Sequence, residues 1–443
     1  MEYQRGAYIK KLKERRENGL IKIITGSRRA GKSYLMNVLF RKHLLKDGME
    51  PNRIISFAFD SDDDVDLLDD YYPDEKTRIY DEKKKISINS KKFRAYIRDI
   101  TDDDHKYCIL LDEVQLLENF VGTLNGFLKH TNYDVYVTGS NSRFLSTDIA
   151  TEFKGRGSVI HVLPLTFSEF MEDRNDDKRK AWAEYIETGG IPLVAKMGNK
   201  NERMNYLKIL CREAYLKDII ERNNVRYKNS LSDIFDVLAS VIGTKVNVLN
   251  ISNTFETVLK KSISDDTVNK YIGYFENAFV ISKAKFYDIK GRKHIGSPFK
   301  IYFEDIGVRN ARLNFRQIEE THIMENIIYN ELRYRGFNVD VGEIESSEMT
   351  DRKDAKGNPI YASKNLEVDF VATCGSSKYY IQSSLSLDNS AKSNQEKKSL
   401  RKIDDSFKKI VITRNDLNAS TDEHGIVTMD LFDFLMDPNS ISG

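Results

Sequence analysis

Apolar residues fall along this chain in two spacings, and the switches between them mark its elements. Within the first 170 residues five short runs are apolar with little polar alternation: Ile23–Thr25, Arg53–Phe59, Tyr107–Leu111, Val135–Thr138 and Ser158–Leu165. Strands of that kind belong to a parallel sheet covered on both faces. Between them the spacing turns helical, as where Leu35 and Leu39, and Met36, Phe40 and Leu44, recur at i, i+4. Strand alternating with helix predicts an α/β domain that closes near Phe170. Residues 7–17 read as a short helix ahead of the first strand, and another helix is expected near Phe93–Ile100. Asp60–Glu75 carries nine carboxylates in sixteen residues with no basic side chain, and reads as a solvated loop.

The pattern changes after that. Lys178–Val225 is helical, broken at Gly189-Gly190-Ile191-Pro192. Ile251–Lys261 and Asp266–Val280, joined by Ser262–Asp265, predict a helix-turn-helix, with Ile281–Phe303 as a β wing. A helix at His322–Arg335 leads into strands at Asn338–Ile344, Leu366–Ala372, Tyr379–Leu385 and, last, Lys409–Thr413. A polar, flexible stretch is expected at Glu345–Lys364 and a polar helix at Ser390–Asp405. These breaks predict four domains, 1–175, 176–227, 228–305 and 306–443, as suits a chain too long for one core.

One stretch carries explicit chemistry. In Lys22–Leu39, KIITGSRRAGKSYLMNVL, a strand meets Gly26 and a helix follows Lys32 and Ser33. This is the G-x-x-x-x-G-K-[ST] phosphate loop between the strand and helix it requires. Backbone N–H groups from Gly26, Ser27, Arg28, Arg29, Ala30 and Gly31 through to Tyr34 can curl around a phosphate at a helix N-terminus. Lys32 reaches the β- and γ-oxygens, and the Ser33 hydroxyl can ligate Mg²⁺. The strand Tyr107–Leu111 ends in Asp112 and Glu113, at the sheet edge where ligands of such folds sit. Asp112 is the second expected Mg²⁺ partner, and Glu113 the base that polarises water. Thr138, Ser140 and Asn141, ending the next strand, can orient water or the γ-phosphate. Arg156, just before the fifth, can act as an arginine finger on a neighbouring subunit of a homo-oligomer.

Composition narrows the setting. The 69 basic and 68 acidic residues nearly cancel, so any nucleic-acid surface must be local. Three scattered cysteines form neither a disulfide framework nor a metal motif, the N-terminus lacks an apolar signal core, and no stretch approaches a membrane span. A cytoplasmic protein with no membrane partner is expected.

The ordered set GSRRAGKS, YCILLDEVQ, VTGSNS, GR before PLTFSEF, and YIETGGIP resembles the AAA+-type predicted ATPase family of bacteria and archaea. The likeness continues through YLKDIIERNNVR, KIYFEDIGVRNA, ENIIYNELRYRGFNVDVG and VDFVA. It implies a P-loop ATPase with a central parallel sheet, a helical lid, a winged helix and a mixed α/β, nuclease-like C-terminal domain, with ATP and Mg²⁺ as ligands. It further implies that Gly190 and Pro192 match a G-x-P lid motif that contacts nucleotide in related signal-transduction ATPases.

The end of the chain resembles the PD-(D/E)XK nuclease fold: Glu325 on a helix, Asp369 on a strand, then a strand where an acid-x-lysine pair belongs. Here Gln382 stands for the acid and Ser384 for the lysine, so a degenerate, binding-only site is expected. Lys378 or Lys392 are the nearby lysines that can substitute. From Ile281 to Lys300 the wing carries an excess of five positive charges and can track a phosphate backbone. The helix before it is acidic, with Asp265, Asp266 and Glu276. DNA and a protein partner are both open at this point.

Overall fold

The computed structural model describes residues 2–80, 86–139, 153, 155–172, 174–353, 359–387, 389–415 and 418–442. The chain divides into two compact units, Met1–Pro164 and Leu165–Gly443.

The first unit is built on five parallel strands: β1 (Ile21–Thr25), β2 (Ile54–Ala58), β3 (Tyr107–Asp112), β4 (Tyr133–Thr138) and β5 (Gly157–His161). Their order across the sheet is β2-β3-β4-β1-β5. All six residues of β3 are buried, as the absence of alternation predicts for a strand covered on both faces. Ile109 and Leu111 join Phe57, Val135 and Val137 in a core with Phe93 and Ile97 from helix Ser90–Ile100, and Leu124 and Phe127 from helix Phe120–Phe127. The helix that follows β1 brings Phe40 against Tyr136, ring centroids 4.8 Å apart. Burying each such side chain contributes about 1.5–3 kcal/mol. The acidic run is not merely a loop. Ser61 caps helix Asp62–Asp66, whose Asp64 carboxylate accepts the Ala58 N–H at 2.7 Å.

The second unit begins with helices, among them Lys178–Thr188, Pro192–Lys196, Lys200–Ile209, Lys228–Ser240, Val248–Thr257 and Asp265–Asn277. An eight-stranded sheet follows, built from β6 (Ile281–Asp288), β7 (Lys293–Phe303), β8 (Asn338–Lys353), β9 (Pro359–Cys374), β10 (Ser377–Ser384), β11 (Lys408–Thr413), β12 (Ser420–Thr421) and β13 (Ile426–Asp430). Its order is β12-β13-β11-β10-β9-β8-β6-β7.

Three features differ from the sequence reading. Most of Glu345–Lys364 lies in paired strand, because β8 and β9 run antiparallel from Asn338↔Thr373 to Lys353↔Pro359. A ribbon polar on both sides shows no alternation to read. Lys408–Thr413 is not the last strand, since β12 and β13 follow it. The hairpin β6–β7, expected as the wing of the domain 228–305, pairs through Val341↔Phe286, Gly342↔Tyr287 and Glu343↔Asp288 with β8. Wing and tail therefore share one sheet, and no sheet boundary falls at 305/306. Among the described residues no helix is long and apolar enough to cross a membrane.

Candidate functional site

β1 delivers the chain to Gly26 at the carboxyl edge of the first sheet. Gly26 takes φ 141°, and a Cβ there would stand 2.1 Å from the Val162 carbonyl oxygen, so only glycine fits. Arg29 (φ 65°) and Gly31 (φ 92°) curl the loop into the helix that starts at Lys32. Lys32 is buried, and its Nζ donates to the carbonyls of Gly26 (3.0 Å) and Ser27 (2.9 Å). The ammonium is thus folded over the loop it serves. Ser27 Oγ is buried with no hydrogen-bond partner among the described residues, an orphan that a phosphate oxygen would satisfy. Ser33 is exposed at the helix start, and Tyr34 donates its hydroxyl to Glu2 at 2.6 Å.

The acids at the end of β3 are held by their neighbours. Asp112 is buried; one carboxylate oxygen accepts the Thr138 hydroxyl and the other accepts Asn37 Nδ2 at 3.3 Å. Glu113 adopts φ 51°, donates its N–H to Thr138 Oγ1 at 3.2 Å, and accepts from Gln115 Nε2. Thr138 reaches both because β4 lies between β1 and β3, in register Ile24↔Thr138 and Leu111↔Val137. Asn37 sits in a π-helical stretch, Leu35–Phe40, which re-aims side chains relative to a regular helix. Asp60, just past β2, is pushed above the usual carboxylate range by desolvation and by the charges of Asp112 and Glu113. Asn37, Gln115 and Asp60 escaped sequence reading. Only Asp60 left a signal, as the first acid after a buried strand.

Ser140 and Asn141 lie outside the described residues. Arg156 is exposed and its Nη1 donates to Asn125 Oδ1 at 3.3 Å. It precedes Gly157, which pairs with Ile21 at the amino edge of β1. At about 3.3 Å per residue that is roughly 13 Å along the strand from Thr25, on the edge opposite the phosphate loop of its own unit.

Gly190 and Pro192 belong to the second unit, where packing accounts for them. Asp305 caps helix Ile306–Arg312 through Val308 N–H (2.9 Å) and also accepts Gly190 N–H (2.8 Å). Asn310 Nδ2 donates to the carbonyls of Ile186 (2.8 Å) and Glu187 (2.9 Å), closing the end of helix Lys178–Thr188. Pro192 starts the next helix at a position that suits its missing N–H. Burial pushes the Asp305 carboxyl up to about 6, against the pull of backbone N–H groups from Gly190, Val308, Gly307 and Ile191. Asp305→Ala removes a cap and orphans a buried donor, and is expected to cost about 3 kcal/mol, read as a lower urea midpoint. An unchanged midpoint would show the turn does not depend on it.

In the tail, Glu325 comes together with Asp369 and with Glu367, two residues before it on the same face of β9. Lys378 and Lys392 do not join them. Lys378 lies over the Phe407 ring, and Lys392 donates to Ser386 Oγ at 3.0 Å. The lysine that does is Lys300 of β7, whose Nζ lies 2.8 Å from Glu325, 2.6 Å from Glu367 and 3.7 Å from Asp369. Counted above among the positive charges of the wing, it is in fact buried and neutralised. Its signal was a lysine inside the apolar run Phe299–Phe303. Gln382 contacts Asp369 only weakly, its Oε1 lying 3.4 Å from the backbone nitrogen.

Comparison with known proteins adds the following. Residues 18–171 match the AAA domain family, and residues 179–319 match a domain of unknown function (DUF8612). The chain is 28% identical over 443 residues to an uncharacterized protein of Haemophilus influenzae, covering 97% of each. It is 27% identical over 382 residues to an uncharacterized protein of Methanocaldococcus jannaschii, covering 82% of this chain and 74% of that one. Among solved structures it is similar to the Aeropyrum pernix ORC2 protein in its ADPNP and ADP complexes, at 11% identity and TM-score 0.37, covering 72% of this chain and 94% of that one. A likeness that loose carries no functional weight.

Proposed function

We propose that this protein is an AAA+-type ATPase, a switch or motor that couples its nucleotide state to DNA binding by the wing and the nuclease-like tail. The observation that carries the ATPase reading is the acid pair Asp112–Glu113 held by Thr138 beside the loop of Lys32. Lys32 exchanges its two carbonyl partners for phosphate oxygens, and the loop N–H groups orient the same phosphates. Ser33 and Asp112 are the residues that would hold Mg²⁺, which when bound neutralises the charge of the phosphate oxygens. Glu113, fixed by Gln115 and by its own left-handed backbone, takes a proton from the attacking water. Asn141 and Ser140 are the polar groups proposed to orient that water and the γ-phosphate. Arg156, on the opposite edge of its own sheet, can act only in trans, from a neighbouring copy of a homo-oligomer.

For DNA, support comes from the tip of the hairpin. Lys285, Lys290, Arg292 and Lys293 are exposed, while Lys283 is paired with Glu276 and Lys300 is turned inward. Hydrolysis of DNA is not part of the reading, because Gln382 and Ser384 carry no charge and the lysine that reaches the tail acids, Lys300, is buried and paired with them.

The test is fluorescence anisotropy of labelled duplex DNA with ATP, with ADP and without nucleotide, across a salt series. Neutralising Lys290, Arg292 and Lys293 together is expected to lower the slope of log affinity against log salt by about 3. No DNA affinity in any nucleotide state would remove the DNA half of the proposal and leave a regulator acting on protein partners.

A further inference from the structure

The tail cluster gathers four ionisable groups from three elements: Lys300 from β7, Glu325 from helix Glu320–Tyr334, and Glu367 and Asp369 from β9. Three carboxylates converge on one ammonium, two of them within hydrogen-bonding distance. Part of the surrounding shell is already committed. Tyr302 donates its hydroxyl to Glu325 at 2.6 Å, Ser383 N–H donates to Asp369 at 2.7 Å, and the Tyr302 ring stacks on Tyr329 at 4.2 Å. Three convergent carboxylates are the donor set of a hard divalent cation. Among the described residues, though, no such group is arranged to hold a metal ion. The point on which the three carboxylates converge is taken by the Lys300 ammonium.

We infer that Lys300 is a built-in cation, its ammonium occupying the point among Glu325, Glu367 and Asp369 where a hard divalent ion would otherwise bind. The wild-type cluster therefore takes no ion, and deleting the ammonium creates a site for one. Electrostatics support the geometry. Burial alone would lower Lys300, but Glu325, Asp369 and Glu367 outweigh it and hold the ammonium above the usual lysine range. Asp369 is pushed up by burial and by Glu325, with Lys300 the main opposing charge. Glu367, with 36% of its side chain exposed, gives that centre an entrance from solvent. Side by side, Lys300 is the only cation among the described residues that touches any of the three acids through an ion pair.

The experiment measures Mn²⁺ uptake by electron paramagnetic resonance and thermal unfolding, on nucleotide-free full-length protein. Wild type should show no ion that Glu367→Gln removes. Lys300→Met should be less stable than wild type without metal, gain one Mn²⁺, and recover about 5 °C in Tm at an ion concentration about 100 times Kd. The added ion should disappear in Lys300→Met combined with Glu367→Gln, which separates it from any ion at Asp112. A wild-type ion lost on Glu367→Gln would overturn the inference whatever the Lys300 variant does. So would a folded Lys300→Met that takes no additional ion, or one that stays unfolded in manganese.

Discussion

Lys32→Ala is expected to weaken ATP binding by about two to four orders of magnitude, measured by isothermal titration. Its own loop holds the side chain in place, with Nζ on the carbonyls of Gly26 and Ser27. Trading neutral carbonyl partners for anionic oxygens strengthens each hydrogen bond, and two charge-assisted bonds at about 1.5–3 kcal/mol apiece account for that range. The Ser27 carbonyl keeps the Ala30 N–H, so the variant deprives mainly the Gly26 carbonyl, a cost of about 1–3 kcal/mol that should leave the first unit folded. A melting curve close to wild type with ATP affinity unchanged would remove Lys32 from the site.

Glu113→Gln is expected to separate binding from turnover. A glutamine keeps the size of the side chain and an oxygen for Gln115 to donate to, but cannot take a proton. ATP affinity should stay within about threefold while single-turnover phosphate release falls by about 10²–10⁴, the usual contribution of a positioned base. The backbone supports the same assignment. Glu113 holds φ 51°, a region that non-glycine residues leave unless the surroundings fix them, and here Thr138 accepts its N–H. Hydrolysis at the wild-type rate would mean that another group activates the water.

What the sequence made legible was local. The phosphate loop could be read because strand, glycines, Lys-Ser and helix lie within eighteen residues, and Asp112–Glu113 because a buried strand ends in acids. Thr138 could be placed at a strand end, but not its hold on both acids, since that depends on β4 inserting between β1 and β3. Asn37 was hidden because a π-helical stretch changes which face a residue points from. Lys300 was hidden for a different reason. Its partners lie 25, 67 and 69 positions further along the chain, so a lysine inside an apolar run signals burial but not the acids that pair with it. The merger of wing and tail was equally non-local. Nothing in β6 announces that Phe286 will pair with Val341.

That merger bears on how many movable pieces the chain has. Each strand is hydrogen-bonded to the next from the hairpin β6–β7 to the small strand Ser420–Thr421 at the far edge. A twisted plate of eight strands bends little, so the hairpin cannot swing on a hinge of its own as a free wing would. Whatever grips the tip grips the plate, and a push on any strand arrives at the tip as a tilt of the whole. Cross-linking β6 to β8 should accordingly leave ligand affinity at the tip unchanged, since it would lock a joint that does not move.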